Sequence, residues 1–216
     1  MLGLFKRKPH GETADTGTIE ATAAAGLKRL HDLKRRKEEP QGPSAIVMRG
    51  AVVEALKVLE AALTAVDRIT ALLGEAHETI DTAKGAKESP IRAMLADRYA
   101  DLRGQIDATA LNASGAGVNL LSGARIGIEL ALEGTGQGTV AVRSIDLSAA
   151  GLGLPAPASG FEDKDEIARI ESAIAEAETR LTRAAHTFVT DAALLSRVFA
   201  TLPMKAPGAD IENSAA

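Results

Sequence analysis

Apolar residues recur at steps of three and four, without a break, through the middle of the first half of the chain. This spacing places them on one face of a helix with 3.6 residues per turn. No other feature of the sequence restricts the fold as strongly. This apolar stripe predicts one long amphipathic helix from Ser44 to Lys84. The members of the stripe are Val52, Leu56, Leu59, Leu63, Val66, Ile69, Leu73, Ala76, Ile80 and Ala83.

Two further helices and one β-hairpin are predicted downstream. A helix over 90–111 carries the stripe Ile91, Leu95, Leu102, Ile106 and Ala110. A helix over 162–202 carries Ile167, Ile170, Ile174, Leu181, Phe188, Leu195 and Phe199. Between them, residues 125–132 and 139–145 alternate apolar with polar side chains around a glycine-rich turn, which is typical of a β-hairpin at about 124–146. The predicted fold class is mainly α, a long antiparallel helical bundle in the order helix, helix, β-hairpin, helix.

The composition favours thin contacts between helices over a thick globule. The hydrophobic fraction is 45%, yet aromatic residues make up only 2% and Trp is absent. The core must therefore be built from Ala, Leu, Ile and Val, which bury less area per residue than rings do. The absence of Cys excludes disulfides, cysteine-ligated metals and thiol nucleophiles. A net charge of −4 provides no overall attraction for nucleic acid.

Four regions are predicted along the chain. Residues 1–17 have the composition of a flexible basic tail, and residues 18–43 of a basic amphipathic helix followed by a Pro/Gly linker. Residues 44–202 form the helical rod domain, and residues 203–216 a disordered tail. No apolar run approaches the roughly 18 residues that a membrane span needs. Because no apolar segment follows the basic start, we expect no cleaved signal peptide, and any export would use another route.

The helix predicted over 18–38 has a strongly basic face, formed by Lys28, Arg29, Lys34, Arg35, Arg36 and Lys37. One interpretation is a solvated helix face. The other is a docking segment for an acidic partner or an anionic membrane surface, with Met1–Lys8 assisting in peripheral attachment.

No arrangement typical of an active site emerges from the titratable residues. The four histidines, His10, His31, His77 and His186, lie on different predicted segments, and we interpret them as surface or interface residues. The acidic run Glu162–Glu166 is explained by the positive end of a helix better than by a cation site. Gly134, Gly136 and Gly138 join two strands and predict a turn. We therefore expect no enzyme, no catalytic residues, no metal and no cofactor.

Two phrases in the chain resemble bacterial flagellin. The stretch Leu102–Ala110 matches the family's helix of type L-x-x-Q-I-D, and residues 117–123 match the loop G-V-N-L-L-x-G that follows it. Residues 142–154 resemble the segment that closes the family's hairpin, which often ends in A-A-G-L-G-L. The likeness covers roughly residues 51–202. The motif residues are Gly117, Val118, Asn119, Leu120, Leu121, Gly123, Asp146, Leu147, Gly151, Leu152, Gly153 and Leu154.

The resemblance implies the inner rod domain of flagellin, in which a helix pair packs against a long C-terminal helix with a β-hairpin beside them. It also implies a structural protein of the bacterial flagellum that acts by protein–protein assembly and is found in the flagellum or outside the cell. The expected partners are flagellin, other flagellar subunits or an export chaperone.

Both ends depart from the family pattern. Met1–Lys8 lacks the polar opening, and Pro203 and Pro207 stand where the family continues in another helix. We therefore expect the terminal polymerisation segments to be missing or replaced. The alternative prediction is a cytoplasmic adaptor or regulator of flagellin export that reuses the rod domain without polymerising.

Overall fold

The computed structural model describes residues 43–124, 127–131 and 139–202. Three long helices dominate these residues: α1 (Pro43–Gly85), α2 (Ser89–Asn112) and α4 (Lys164–Thr201). Between α2 and α4 lie four short strands, β1 (Ser114–Gly115), β2 (Val118–Asn119), β3 (Ile128–Ala131) and β4 (Thr139–Val142), and a one-turn helix, α3 (Ala149–Leu152). The prediction of a mainly α fold is confirmed.

Helix α1 is the central element, because α2 and α4 both pack along it. At a rise of 1.5 Å per residue, its 43 residues extend about 64 Å. Both neighbours run antiparallel to it. Arg98 of α2 pairs with Glu75 at 2.5 Å, while on the other neighbour Lys84 reaches Glu171 and Arg49 lies 4.3 Å above the Phe199 ring.

Because other elements contact α1 on two sides, its buried residues extend beyond a single stripe. All ten predicted stripe residues are buried, and so are Ala55, Val58, Ala62, Ala65 and Leu72. The small alanines allow the neighbouring elements to approach closely. All seven predicted stripe residues of α4 are buried as well.

The stripe predicted for α2 is partly wrong. Leu102, Ile106 and Ala110 are buried, whereas Ile91 is 39% exposed and Leu95 is only partly buried. Tyr99 is fully buried in their place, and its hydroxyl donates to the Pro155 carbonyl at 3.1 Å. The chain after α3 folds back over this end of α2, so an aromatic side chain with one polar tip fits there better than an aliphatic one.

The strands form two small antiparallel sheets. In the first, Ser114 pairs with Asn119 and Gly115 with Val118; this turn was not predicted. In the second, β3 pairs with β4 from Ile128 opposite Val142 to Ala131 opposite Thr139, as the alternation predicts. Val140 and Val142 face the core, while Thr139 and Ala141 face solvent. The predicted turn glycines at 134, 136 and 138 lie outside the described residues.

Candidate interaction site

The two segments that carry the flagellin resemblance meet in space and form one unit, which we call the motif junction (residues 117–123 and 142–154). The Ile145 amide donates to the Leu120 carbonyl at 2.8 Å, and the Leu147 amide to the Leu121 carbonyl at 3.1 Å. The Ser144 hydroxyl donates to the Leu120 carbonyl at 3.0 Å. Residues far apart in the sequence therefore satisfy one another's backbone groups.

Asn119 closes the C-terminal end of α2. Its amide nitrogen donates to the carbonyls of Ala110 and Leu111, both at 2.8 Å, and its side-chain oxygen accepts from the Leu121 amide at 2.7 Å. The last carbonyls of a helix have no partner within the helix, so a side-chain donor is needed there. The side-chain amide supplies the N–H groups for both carbonyls and the acceptor for the Leu121 amide.

Asp146 organises the second half of the junction. Its carboxylate accepts from the Ser148 amide at 3.0 Å and from the Ser148 hydroxyl at 2.7 Å. Ser148 in turn caps α3 by accepting from the Gly151 amide at 3.0 Å. A side chain at Gly123 would come within 2.7 Å of Asp146, and Gly123 also has a positive φ of 65°. Both conditions require glycine there.

The apolar motif residues belong to the core, and the remaining ones belong to turns. Leu120, Leu121, Leu147, Leu152 and Leu154 are buried, and Val118 is partly buried against them. Gly117 and Gly153 both have a φ of 79°, and Gly151 packs against Asp146. The twelve motif residues therefore maintain the junction.

The junction ties the two outer helices together. Helix α3 contacts both α2 and α4. On the α2 side, Asp107 accepts from the Ala149 amide at 2.7 Å, and Arg103 donates to the Leu154 carbonyl at 3.2 Å. On the α4 side, Arg180 donates to the Gly151 carbonyl at 3.2 Å. The motif segments thus position α2 and α4 relative to each other.

An open groove of about 690 Å³ lies beside this unit, between α1 and the end of α2. Small side chains line its floor, and Lys57, Glu60 and Arg68 lie along its border. The residues with small side chains are Ala61, Thr64, Ala65, Ala108, Thr109, Ala113 and Ser114. Leu111, at the same end of α2, is 72% exposed. Side chains this small would allow another helix to approach closely.

The acidic run at the start of α4 is structural. Asp163 caps α4 by accepting from the Asp165 amide at 2.9 Å, and Glu162 pairs with Arg92 and Ser89 of α2. Glu166 is buried and accepts from the Phe161 amide at 3.2 Å; it also accepts from the Ser159 hydroxyl and from the amides of Ala158 and Ser159. The interpretation of this run as a helix start accounts for Asp163.

Electrostatics at Glu166 favour the ionised form. Burial acts to raise the pKa of this carboxyl, but the hydrogen bonds from Ser159, Ala158 and Phe161 together outweigh burial. The pKa of Glu166 therefore lies below the usual range for a glutamate. The sequence contains no local signal for this role, because an acidic residue near a helix start is ordinarily exposed.

The structure places His77 on α1 and His186 on α4, both partly or fully exposed and distant in the sequence. His10, His31 and the six basic residues predicted to contact a partner or membrane lie outside the described residues. Among the described helices, none combines the length and apolar character that crossing a bilayer requires.

Comparison with known proteins adds no assignment. A scan against protein-family models and a search of curated proteins found no match to this chain.

Proposed function

We propose that this chain is a flagellin-like structural protein of the bacterial flagellum, which acts by helix packing and protein–protein assembly without catalysis. Its partners would be flagellin or other flagellar subunits. The observation that carries the proposal is the motif junction. The two segments that resemble flagellin, separated by about twenty residues, form a single hydrogen-bonded unit between the outer helices. The occurrence of both segments in one chain is therefore explained by the single structural unit that they form together.

The groove between α1 and α2 is the contact surface that we assign to the partner. Its floor of alanine and threonine side chains allows a partner helix to approach the backbone of both α1 and α2. The exposed Leu111 offers an apolar anchor at one end, and Lys57 and Arg68 offer charged contacts at the border. A helix packed there would extend the bundle sideways, which is the kind of contact that subunits of a helical assembly need.

A binding experiment with paired variants tests this assignment. Full-length protein is titrated with purified monomeric flagellin from the source organism, and affinity is measured by isothermal titration calorimetry. Ala108→Arg fills the groove from its exposed side and should weaken binding at least about tenfold, or about 1.4 kcal/mol. Ala175→Arg introduces the same side chain on an exposed position of α4 and should leave binding unchanged.

The absence of any binding to flagellin contradicts the proposal. Equal weakening by both variants would retain flagellin as the partner but remove the groove as its site. Circular dichroism of both variants establishes that neither substitution unfolds the chain.

The second candidate function is an intracellular adaptor or regulator of flagellin export that reuses this rod domain without polymerising. It is favoured by the basic residues 28–37, which could supply a second contact. Immunoblotting of sheared flagella, culture supernatant, membranes and cytosol distinguishes the two. Signal in sheared flagella supports the structural subunit. Signal only inside the cell, together with loss of chaperone binding when residues 1–40 are deleted, supports the adaptor.

A further inference from the structure

Three side chains of types that bind metals lie close together between α1 and α4. His77 and Asp81 are four residues apart on α1 and therefore lie on the same face. Their nearest atoms, Nε2 of His77 and an Oδ of Asp81, are 3.7 Å apart. Glu171 reaches the same place from α4. One ligand atom from each of the three side chains lies within 4.8 Å of the others.

An imidazole nitrogen and two carboxylate oxygens are a ligand set that suits Zn²⁺. With bonds of about 2.0–2.2 Å, a tetrahedral Zn²⁺ places its ligand atoms roughly 3.4 Å apart. The ligand atoms must therefore move closer by up to about 1.4 Å, which rotation about side-chain bonds can supply because all three side chains are partly exposed. The exposure also leaves the fourth position open to water.

A third acidic residue, outside the proposed ligand set, lies near the imidazole. Glu178 of α4 lies 3.9 Å from Nδ1 of His77, whereas Asp81 lies near Nε2. Histidines that bind metal through one nitrogen commonly donate the other N–H to a carboxylate, which orients the ring and strengthens the ligand. The ring nitrogens thus have separate neighbours, with Nε2 facing the proposed ligands and Nδ1 facing Glu178.

The two carboxylates already hold a cation, the ammonium group of Lys84. Its nitrogen lies 3.0 Å from Asp81 and 2.5 Å from Glu171. The side chain of Lys84 is 39% exposed and attached through a flexible stem, so it can turn into solvent. A divalent ion would be bound by the same oxygens and by His77. It would replace the single positive charge of Lys84, which does not accept the imidazole lone pair.

We propose that His77, Asp81 and Glu171 form a Zn²⁺ site that clamps α1 to α4, with Glu178 orienting the imidazole and Lys84 competing for the carboxylates. The site is independent of the proposed function. Since two ligands belong to α1 and one to α4, binding should stabilise the packed pair of helices over the unfolded chain.

The test is calorimetric titration of the full-length, metal-free protein with ZnSO₄, supported by thermal melts. We expect one ion per chain and a Tm that rises with Zn²⁺ concentration. His77→Ala should abolish both effects, whereas Lys84→Met, which removes the competing charge, should tighten binding at least about tenfold. His186→Ala and the double variant His10→Ala/His31→Ala, which alter histidines elsewhere in the chain, should bind as the parent does.

Each other result overturns the site. If the parent protein binds no Zn²⁺, or if His77→Ala binds as tightly as the parent, the three side chains are not ligands. If Lys84→Met binds no more tightly than the parent, the carboxylate oxygens that Lys84 holds are not metal ligands and the proposed site is wrong. Co²⁺ substitution provides a further readout, because tetrahedral nitrogen and oxygen coordination produces intense visible absorption that His77→Ala must lose.

Discussion

A single side chain, that of Asn119, terminates one helix and starts the next turn. Its amide bonds to two helix-end carbonyls and accepts from the Leu121 amide. The flagellin-like phrase that contains it is therefore explained at this position by hydrogen-bond geometry. Glu166 has a similar role near the start of α4, where one carboxylate accepts hydrogen bonds from several backbone amides and a hydroxyl.

Replacing Asn119 with Ala should lower the free energy of unfolding by about 1–3 kcal/mol, because the helix-end carbonyls and the Leu121 amide lose their partner. The measurement is urea denaturation followed by far-ultraviolet circular dichroism. Asn112→Ala, an exposed asparagine on the last turn of α2, is the matched control and should change stability by less than about 0.5 kcal/mol. Equal effects of the two variants would contradict the role of Asn119.

Replacing Glu166 with Gln should lower the unfolding free energy by about 2 kcal/mol at neutral pH, because an amide cannot accept from all the donors around it. The folded-state pKa of Glu166 is lowered, so its contribution is present above the unfolded pKa of about 4.3 and is lost as pH falls towards the folded pKa. The difference between parent and variant should therefore shrink on acidification below about pH 4.3.

Urea midpoints measured across this pH range check the prediction. Glu176→Gln, an exposed position on the same helix, controls for the general effect of removing a carboxylate. A difference between parent and Glu166→Gln that stays constant or widens on acidification would show that Glu166 is not ionised in the folded protein.

At the scale of elements, helix α1 is contacted from several sides, and at Gly115 the chain packs directly against the α1 backbone. Gly115 of β1 lies so close to α1 that a Cβ there would be 2.7 Å from the Val58 Cα and 2.8 Å from the Lys57 carbonyl oxygen. The turn formed by β1 and β2 can therefore sit against α1 only with glycine at this position. It holds the end of α2, where Asn119 acts, in place beside α1.

A pair of glycine substitutions separates this contact from helix propensity. Gly115→Ala should lower the unfolding free energy by about 1–3 kcal/mol, because neither neighbouring atom belongs to a flexible side chain. Gly104→Ala, at an exposed position of α2 with nothing within 4 Å, should raise it by about 0.5–1 kcal/mol. Urea denaturation of both variants measures the two effects. Stabilisation by Gly115→Ala would show that β1 does not pack on α1 in solution.

At the scale of the whole molecule, the ring of Tyr99 links the core to the segment that leads into α4. It is the only tyrosine, and the chain has no Trp. Its ring lies 6.1 Å from that of Phe161, and its hydroxyl bonds to Pro155. Burial raises the pKa of Tyr99 to about 12, despite the opposing charge of Arg103.

This raised pKa predicts a loss of stability at high pH. The unfolded chain ionises its tyrosine near pH 10 and the folded chain only near 12, so the unfolding free energy should fall as pH rises above about 10. Phenolate absorbance measures ionisation, and urea denaturation at each pH measures stability. Tyr99→Phe should remove this part of the pH dependence while costing about 1 kcal/mol at neutral pH. Ionisation near pH 10 in the folded protein would contradict the burial of Tyr99.

The three long helices and most of their buried positions follow from local sequence patterns alone. The stripe of α1 needed no tertiary information, because the 3.6-residue period is a property of neighbouring residues. The structure extends it only from Ser44–Lys84 to Pro43–Gly85. The alternation at β3 and β4 was equally local. The predicted boundary between the first two helices, at residues 84 and 90, lies within one residue of the observed ends Gly85 and Ser89.

Contacts between residues distant in the sequence depend on how the whole chain packs, and no local pattern predicts them. The pairing of the two motif segments, the burial of Tyr99 and the exposure of Ile91 depend on how the chain after α3 folds over α2. The cluster of His77, Asp81 and Glu171 forms only with the observed register of α4 along α1, and no local sequence pattern specifies that register. Periodicity shows which face of a helix is buried, but the partner and its register follow from packing of the whole chain.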